Sequence, residues 1–236
     1  MAGGRASWVL DELATAGREN RDPAHVARYD AKEDADGARE VARLLAAGLS
    51  ERPTVIDLGA GTGQFTLAVA GHAARVVAVD VSPEMLARLE ANVSQAGATN
   101  VECVRAGFLT YEHAGKPADL VYSRYALHHL PDFWKAIALA RTAAMLAPGG
   151  LLRLWDVVYG FDPADAPVAL ERWFASVPAG SVEEDWTRAD LEEHVRDEHS
   201  TFTWLLEPMI ERAGFRIEAA ERSPDRFSAR YLCRRT

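Results

Sequence analysis

Val55-Ile56-Asp57-Leu58-Gly59-Ala60-Gly61-Thr62-Gly63-Gln64-Phe65-Thr66 is an apolar run that meets three glycines at alternate positions and continues into helix-forming residues. Glycine lets a backbone turn sharply and lets a ligand approach where a Cβ would collide, and the start of the next helix presents unpaired N–H groups to an anion. A strand, a ligand-binding turn and a helix are predicted, with a nucleotide-like ligand. A dinucleotide fingerprint beginning at Gly59 has its third glycine at position 64, which is Gln64, so the spacing disfavours NAD. A bare glycine-rich turn also occurs as a plain strand-to-helix connection.

A second apolar run ending on an acid, Val76-Val77-Ala78-Val79-Asp80-Val81-Ser82, follows at the distance of one helix. Asp57, Gly59, Gly61 and Gly63 together resemble the acidic-x-Gly-x-Gly-x-Gly motif of the class I S-adenosylmethionine-dependent methyltransferases, and Asp80 matches the acid that closes that family's second strand. Leu127-His128-His129-Leu130-Pro131 after a fourth strand, and Leu146-Ala147-Pro148-Gly149-Gly150 before a fifth, are similar to further features of the family. The resemblance covers about residues 50 to 160 by motif.

It implies S-adenosylmethionine as cofactor and S-adenosylhomocysteine as product. Asp57, Gly59, Ala60, Gly61 and Gly63 are then the cofactor loop, and Asp80, with Val81 beside it, accepts hydrogen bonds from the ribose hydroxyls, a role suited to two acceptor oxygens. Gly107 and Phe108 hold the adenine, Ser123 lies at the mouth of the fourth strand, and Tyr29 belongs to a segment covering the cofactor. The chain departs from the family after the third strand, Val101 to Arg105: Ala106-Gly107-Phe108-Leu109 lacks the carboxylate that often stands next to the adenine. Ser123-Arg124-Tyr125-Ala126 is not the Asn- or Asp-Pro-Pro-Tyr tetrad that the resemblance associates with exocyclic amines of bases or protein glutamine.

With 236 residues, 48% of them hydrophobic, the chain accommodates one α/β domain and a small elaboration rather than two full domains. Thirty-five acids against 26 Lys and Arg give a formal charge of −9, which argues against a nucleic-acid substrate. Cys103 and Cys233 have no metal or disulfide spacing, and no apolar run reaches the ~20 residues of a membrane span. A cytoplasmic protein, without membrane contact, is expected.

Alternating strands and helices predict a doubly wound, Rossmann-like α/β fold. The sheet is expected to be seven-stranded and mostly parallel, with an antiparallel last strand and helices on both faces. Residues 1–50 form an N-terminal helical arm over the cofactor site in this reading. Residues 51–236 form the methyltransferase domain, with 160–205 as a substrate-side insertion, because that stretch leaves the carboxyl edge where ligands of open α/β sheets bind.

Methyl transfer needs mainly alignment and water exclusion, with a general base for a hydroxyl or ammonium acceptor. His128 and His129 are the candidates for that base, His128 preferred, with one of the pair expected to face the core. Asp156 and Arg124 are candidates to bind the acceptor, Tyr29 and Trp155 to wall it, and Trp173 and Phe174 to make a lid or dimer contact. His194 and His199, five residues apart, do not share a helical face, so no metal is expected and both read as surface groups. The favoured function is methyl transfer to a small-molecule acceptor by a monomer or homodimer. The alternatives are a nicotinamide oxidoreductase and a protein that binds S-adenosylmethionine with its catalysis diverted.

Overall fold

A computed structural model describes residues 7–17, 20, 26, 37–177 and 186–236. A short helix α1 (Glu12–Thr15) and helix α2 (Gly37–Ala46) precede the sheet. Strand and helix then alternate through β1 (Thr54–Leu58), α3 (Gln64–Ala70), β2 (Arg75–Asp80), α4 (Pro83–Ala96) and β3 (Val101–Arg105). β4 (Ala118–Arg124), α5 (Asp132–Met145) and β5 (Leu146–Tyr159) follow, and then α6 (Ala166–Ala175) and α7 (Arg188–Asp197). The chain ends with β6 (Thr201–Phe202), α8 (Thr203–Arg212), β7 (Phe215–Arg222) and β8 (Ser228–Arg235).

The sheet runs β3-β2-β1-β4-β5-β8-β7, parallel except for β8, which is antiparallel to both its neighbours. Seven strands were predicted; the two-residue β6, paired to the end of β5, makes an eighth. It lies outside the sequence expectation because two residues carry no alternation to read.

Alternation along the strands divides the core. Val55, Val76, Leu120 and Leu151 pack under Val41 and Leu44 of α2 and Val69 of α3. Ile56, Val77, Val121 and Leu152 face α5 and α8 through Leu139, Leu206 and Ile210. Burial on both faces is what continuous apolar strands require. Ser82 caps α4 by accepting from the Met85 N–H at 3.1 Å, with Pro83 at the first helical position and Gly97 left-handed at the end.

Some edges differ from the expectation. The α5 helix stops at Met145, and Leu146 already pairs with Ala118; pairing breaks and resumes at Leu120 with Leu151. Pro148-Gly149-Gly150 is thus a bulge inside the strand, tight enough that a Cβ at Gly150 would stand 2.9 Å from the Ala147 carbonyl oxygen. Leu45 of α2 and Phe133 of α5 are exposed. No described helix is long and apolar enough to cross a membrane.

One ion pair ties α2 to the sheet. Glu40, 7% exposed, receives Nε and Nη2 of Arg153, 5% exposed, the latter at 3.4 Å, with Arg43 at 3.7 Å. Removing one member leaves an uncompensated buried charge. Glu40→Ala is expected to lower stability by ~3–5 kcal/mol, and Glu40→Leu combined with Arg153→Met by much less. Urea unfolding checks this, and a Glu40→Ala midpoint at the wild-type value would show that the pair carries no weight.

Candidate functional site

The sheet order reverses between β1 and β4, so the connections after these strands leave on opposite faces and a crevice opens at their carboxyl ends. Gly59, at φ +74°, turns the chain there; its N–H and that of Ala60 donate to the Val79 carbonyl at 2.9 and 3.0 Å. A Cβ on Gly59 would stand 2.3 Å from that of Ala126, so only glycine lets the loop pass the mouth of β4. Asp80 sits opposite, accepting from the Gly61 N–H at 2.9 Å and the Ser82 N–H at 2.8 Å. These side chains, with Val81, Met85, Gly107 and Phe108, line a narrow cavity.

Residues of the N-terminal arm form the cavity's other wall. Glu12, 5% exposed, accepts from the Leu109 N–H at 3.1 and 3.2 Å and from the Thr110 hydroxyl at 3.2 Å. Asn20 accepts from the Ser82 hydroxyl at 2.6 Å through its carbonyl, and its Nδ2 lies 3.4 Å from Nε2 of His129.

A second, wider chamber of about 550 Å³ adjoins the first. Asn20, Arg124, Tyr125 and His129 line both. Its walls are aromatic: Trp155, Trp173, Trp186 and Phe227, with Trp173 stacked on Phe227 at 4.3 Å and 14°. The guanidinium carbons of Arg124 and Arg230 lie 4.3 and 3.6 Å from the Trp155 ring centroid. Tyr125 occupies positive φ, +49°, where the chain leaves β4.

Beneath the chamber is a buried ionic network. Nδ1 of His128 faces Oδ1 of Asp156 at 2.5 Å, and its Nε2 faces Glu198 at 3.0 Å. Asp156 also accepts the His128 N–H at 2.9 Å, and Glu198 pairs with Nδ1 of His194, whose Nε2 is 2.8 Å from the Ser200 hydroxyl. Burial disfavours the imidazolium of His128, but Asp156 and Glu198 outweigh it and lift its pKa to about 10. Burial opposes Glu198 ionisation likewise, and His128 and His194 reverse this, holding the carboxylate well below its usual range. His129, whose ring stacks obliquely on His128 at 4.2 Å, is pushed down to about 3 by burial and by the neighbouring imidazolium. His128, His129 and Glu198 have ligand atoms within 4.8 Å of one another. With both nitrogens of His128 facing carboxylates, a proton accounts for the arrangement without an ion.

The structure brings Gly59, Gly61, Asp80, Val81, Gly107 and Phe108 to one cavity. Asp57 lies beneath the loop instead, 2% exposed and accepting from the Thr66 hydroxyl at 2.6 Å; burial lifts its pKa to about 7. Ala60 packs against Ala78 and Leu86, and a Cβ at Gly63 would strike Leu89 at 2.2 Å, so both serve packing. Ser123 is buried in β4, next to Arg124 of the cavity lining. Tyr29 lies outside the described residues. Asp156, a candidate to touch the acceptor, is 1% exposed and orients His128 instead. His194, read as a surface group, is half-buried because Glu198, four residues on, folds back onto it. Glu12, Asn20, Glu198 and Arg230 escaped the sequence reading, since each reaches the site from a distant segment.

The fold and crevice define an α/β protein that takes a nucleotide-like ligand at the carboxyl edge of a doubly wound sheet. Residues 55–150 match the family described as methyltransferase domain. An uncharacterized methyltransferase of Geobacillus kaustophilus is 30% identical over 105 residues, 44% of this chain and 47% of that protein, so the chain spans about half of that relative's length. One from Bacillus mycoides is 26% identical over 167 residues, 65% of this chain and 76% of that one. Magnesium protoporphyrin IX methyltransferase from Synechocystis, solved with bound S-adenosylhomocysteine, superposes with a TM-score of 0.61 at 18% identity, covering 85% of this chain and 82% of that chain, a likeness of fold. The likeness to the methyltransferase domain thus lies in residues 55–150, and the solved methyltransferase shares the fold.

The His128 network has a pH signature. An unfolded imidazole titrates near 6.5 and the folded one near about 10, so the network's stabilisation is complete below the first value and is lost as pH rises through the second. Thermal unfolding midpoints are expected to decline over that interval. In His128→Gln the decline becomes shallower, on top of a general loss of ~3–5 kcal/mol from the carboxylates left unpaired. Equal slopes in the two proteins would show that the imidazole is not charged in the fold.

Proposed function

We propose that this chain transfers the methyl group of S-adenosylmethionine to a small aromatic acceptor carrying an anionic group. The observation that carries the reading is the contiguity of the two chambers through Asn20, Arg124, Tyr125 and His129. One holds a carboxylate beside glycine-rich backbone, the other is aromatic and cationic.

The residues present fit the cofactor. Asp80 is held by two backbone donors and directs its remaining acceptor capacity into the first cavity, where a ribose diol needs acceptors. Gly59 and Gly61, without Cβ atoms, leave room beside it. When bound, S-adenosylmethionine supplies an electrophilic methyl on a sulfonium.

The second chamber then receives the acceptor. Its volume falls within the range of small-molecule pockets, and flat aromatic walls suit a flat ligand. Among the described residues its acids are Glu198, engaged by His128 and His194, and Asp225, engaged by the Ser223 hydroxyl and the Phe227 N–H. Arg124 and Arg230 bring positive charge to its wall, which suits an anionic group on the ligand. Trp155 Nε1 and His129 Nδ1 are buried without hydrogen-bond partners among the described residues, two positions that a polar acceptor satisfies.

His129 is the base in this reading. It lies where the chambers meet, and its depressed pKa keeps it neutral, so its lone pair stands ready for the acceptor's proton. His128, locked between two carboxylates, holds a proton and fixes the position of its neighbour. Residues 160–205, which contribute Trp173, Trp186, Leu191 and His194 to the chamber, act as the cap that selects the acceptor. The arm of residues 1–50 covers the cofactor through Glu12, Ala16 and Asn20.

Mass-spectrometric screening of hydroxybenzoate-type acids against aliphatic acids of equal charge tests the acceptor class. Methylation of aromatic acids is expected, and turnover confined to aliphatic acids or neutral compounds would sink this assignment. His129→Gln should lower kcat by ~10²–10⁴-fold for a hydroxyl acceptor. In the wild type, kcat/KM should show no inflection at imidazole's ordinary 6.5, since His129 is already unprotonated there. Full activity of His129→Gln would remove the base.

A further inference from the structure

We infer that Arg230 and Ser228, on one face of β8, form the subsite that takes a carboxylate of the acceptor, and that the methyl group goes to a different group on the same molecule. The inference rests on the wider chamber being the acceptor site, as proposed above.

Strand alternation sets the face. Along β8, Ala229, Tyr231 and Cys233 are buried on one side of the sheet, and Ser228 and Arg230 alternate with them onto the other. Arg230 stands opposite Trp155 of β5, which pairs in turn with Arg124 of β4, and Ser228 stands opposite Val157. Partners in register face the same way, so Arg124, Trp155, Val157, Ser228 and Arg230 make one continuous floor, and all five line the chamber.

The other arginines of β5, β7 and β8 have acceptors. Arg153 pairs with Glu40, Arg222 with Glu207, and Arg216 and Arg234 with Glu218, while Arg235 donates to the Leu146 carbonyl. Arg230 differs. Among the described residues no acid pairs with it, Glu221 directly opposite on β7 included, and its contact is the Trp155 ring, 3.6 Å from centroid to guanidinium carbon. An indole face attracts the charge but offers no lone pair, so the N–H fork of this half-buried side chain still lacks an acceptor. The Ser228 hydroxyl, two residues back on the same face, likewise has no hydrogen-bond partner among the described residues. A carboxylate meets both needs, with two coplanar oxygens for the fork and a lone pair to spare for the hydroxyl.

Placement decides where the methyl goes. Neither Arg230 nor Ser228 lines the narrow cavity, whereas His129 lines both spaces. A carboxylate held on β8 is kept off the path of transfer, and a ring hydroxyl of the same acceptor reaches His129. Its oxygen bonds the methyl carbon as the sulfur–carbon bond breaks and sulfur keeps the electron pair; the proton passes to His129, and the carboxylate is unchanged.

Titration calorimetry on the full chain, with S-adenosylhomocysteine present, tests this with 3- and 4-hydroxybenzoate, each against its uncharged amide. The wild type is expected to bind the acids ~10–100-fold more tightly than the amides, the worth of hydrogen bonds to a charged group. In Arg230→Gln the preference should fall to within a few-fold through weaker binding of the acids, with amide affinity kept as the sign of an intact chamber. Arg230→Lys, which keeps the charge and loses the fork, should fall between, and Ser228→Ala should lower the preference by a few-fold. Mass spectrometry of turnover products should show the methyl ether and no methyl ester. An undiminished preference in Arg230→Gln, or in Arg230→Lys where the former does not fold, would overturn the inference, as would ester formation. A wild type that binds acids and amides equally would overturn it without any variant. Binding of none of these compounds by the wild type would overturn the aromatic-acid reading of the chamber and the inference with it, a result distinguishable from the others.

Discussion

The closeness of two backbones governs this molecule. Where the loop after β1 passes the mouth of β4, Gly59 and Ala126 approach so nearly that no side chain fits at the former. The two strands are parallel neighbours whose following connections diverge to opposite faces, and the crevice between them exists only because the loop hugs β4 before turning away. Asp80, one strand over, is aimed by the N–H of Gly61, two residues beyond the contact. The mouth of β4 then continues into Tyr125, at positive φ, and on to the histidines. Arg124 and Tyr125, just before Ala126, line both the narrow cavity and the wider chamber.

Charge inside the fold is organised by pairing. His128 is wedged between Asp156 of β5 and Glu198 at the end of α7, and Glu198 also receives His194. Each partner alone would be an expensive buried charge; together they fix the start of β6 and the end of α7 against the β4 mouth. The same cluster separates two adjacent imidazoles into a protonated and a neutral one, a division of roles that neither residue would show by itself.

Much of this was legible in the sequence, and the reason is distance along the chain. The strand, turn and helix of the cofactor loop occupy twelve consecutive residues, and strand-ending acids mark their own positions. What the glycines and Asp57 do individually was less legible: Gly63 makes room for Leu89 and Asp57 holds Thr66 beneath the loop. Glu12, Glu198 and Arg230 reach the site from the arm, from beyond the cap helix and from the last strand, brought together by sheet order and by no local spacing. His194 was misjudged for a related reason. Its partner is Glu198, just past the helix end, so the i,i+5 spacing to His199 described a helix that does not continue that far.

Glu12 and Gly107 lie 95 residues apart, counting from 12 to 107, yet contend for one small volume. Their substitutions are therefore not independent. A side chain appearing at 107 while Glu12 is in place meets a carboxylate, and loss of Glu12 while 107 is glycine leaves the Leu109 N–H and Thr110 hydroxyl without that acceptor. Descent from one arrangement to the other must cross a sequence worse than either end, so among relatives the pair is expected to change together or not at all.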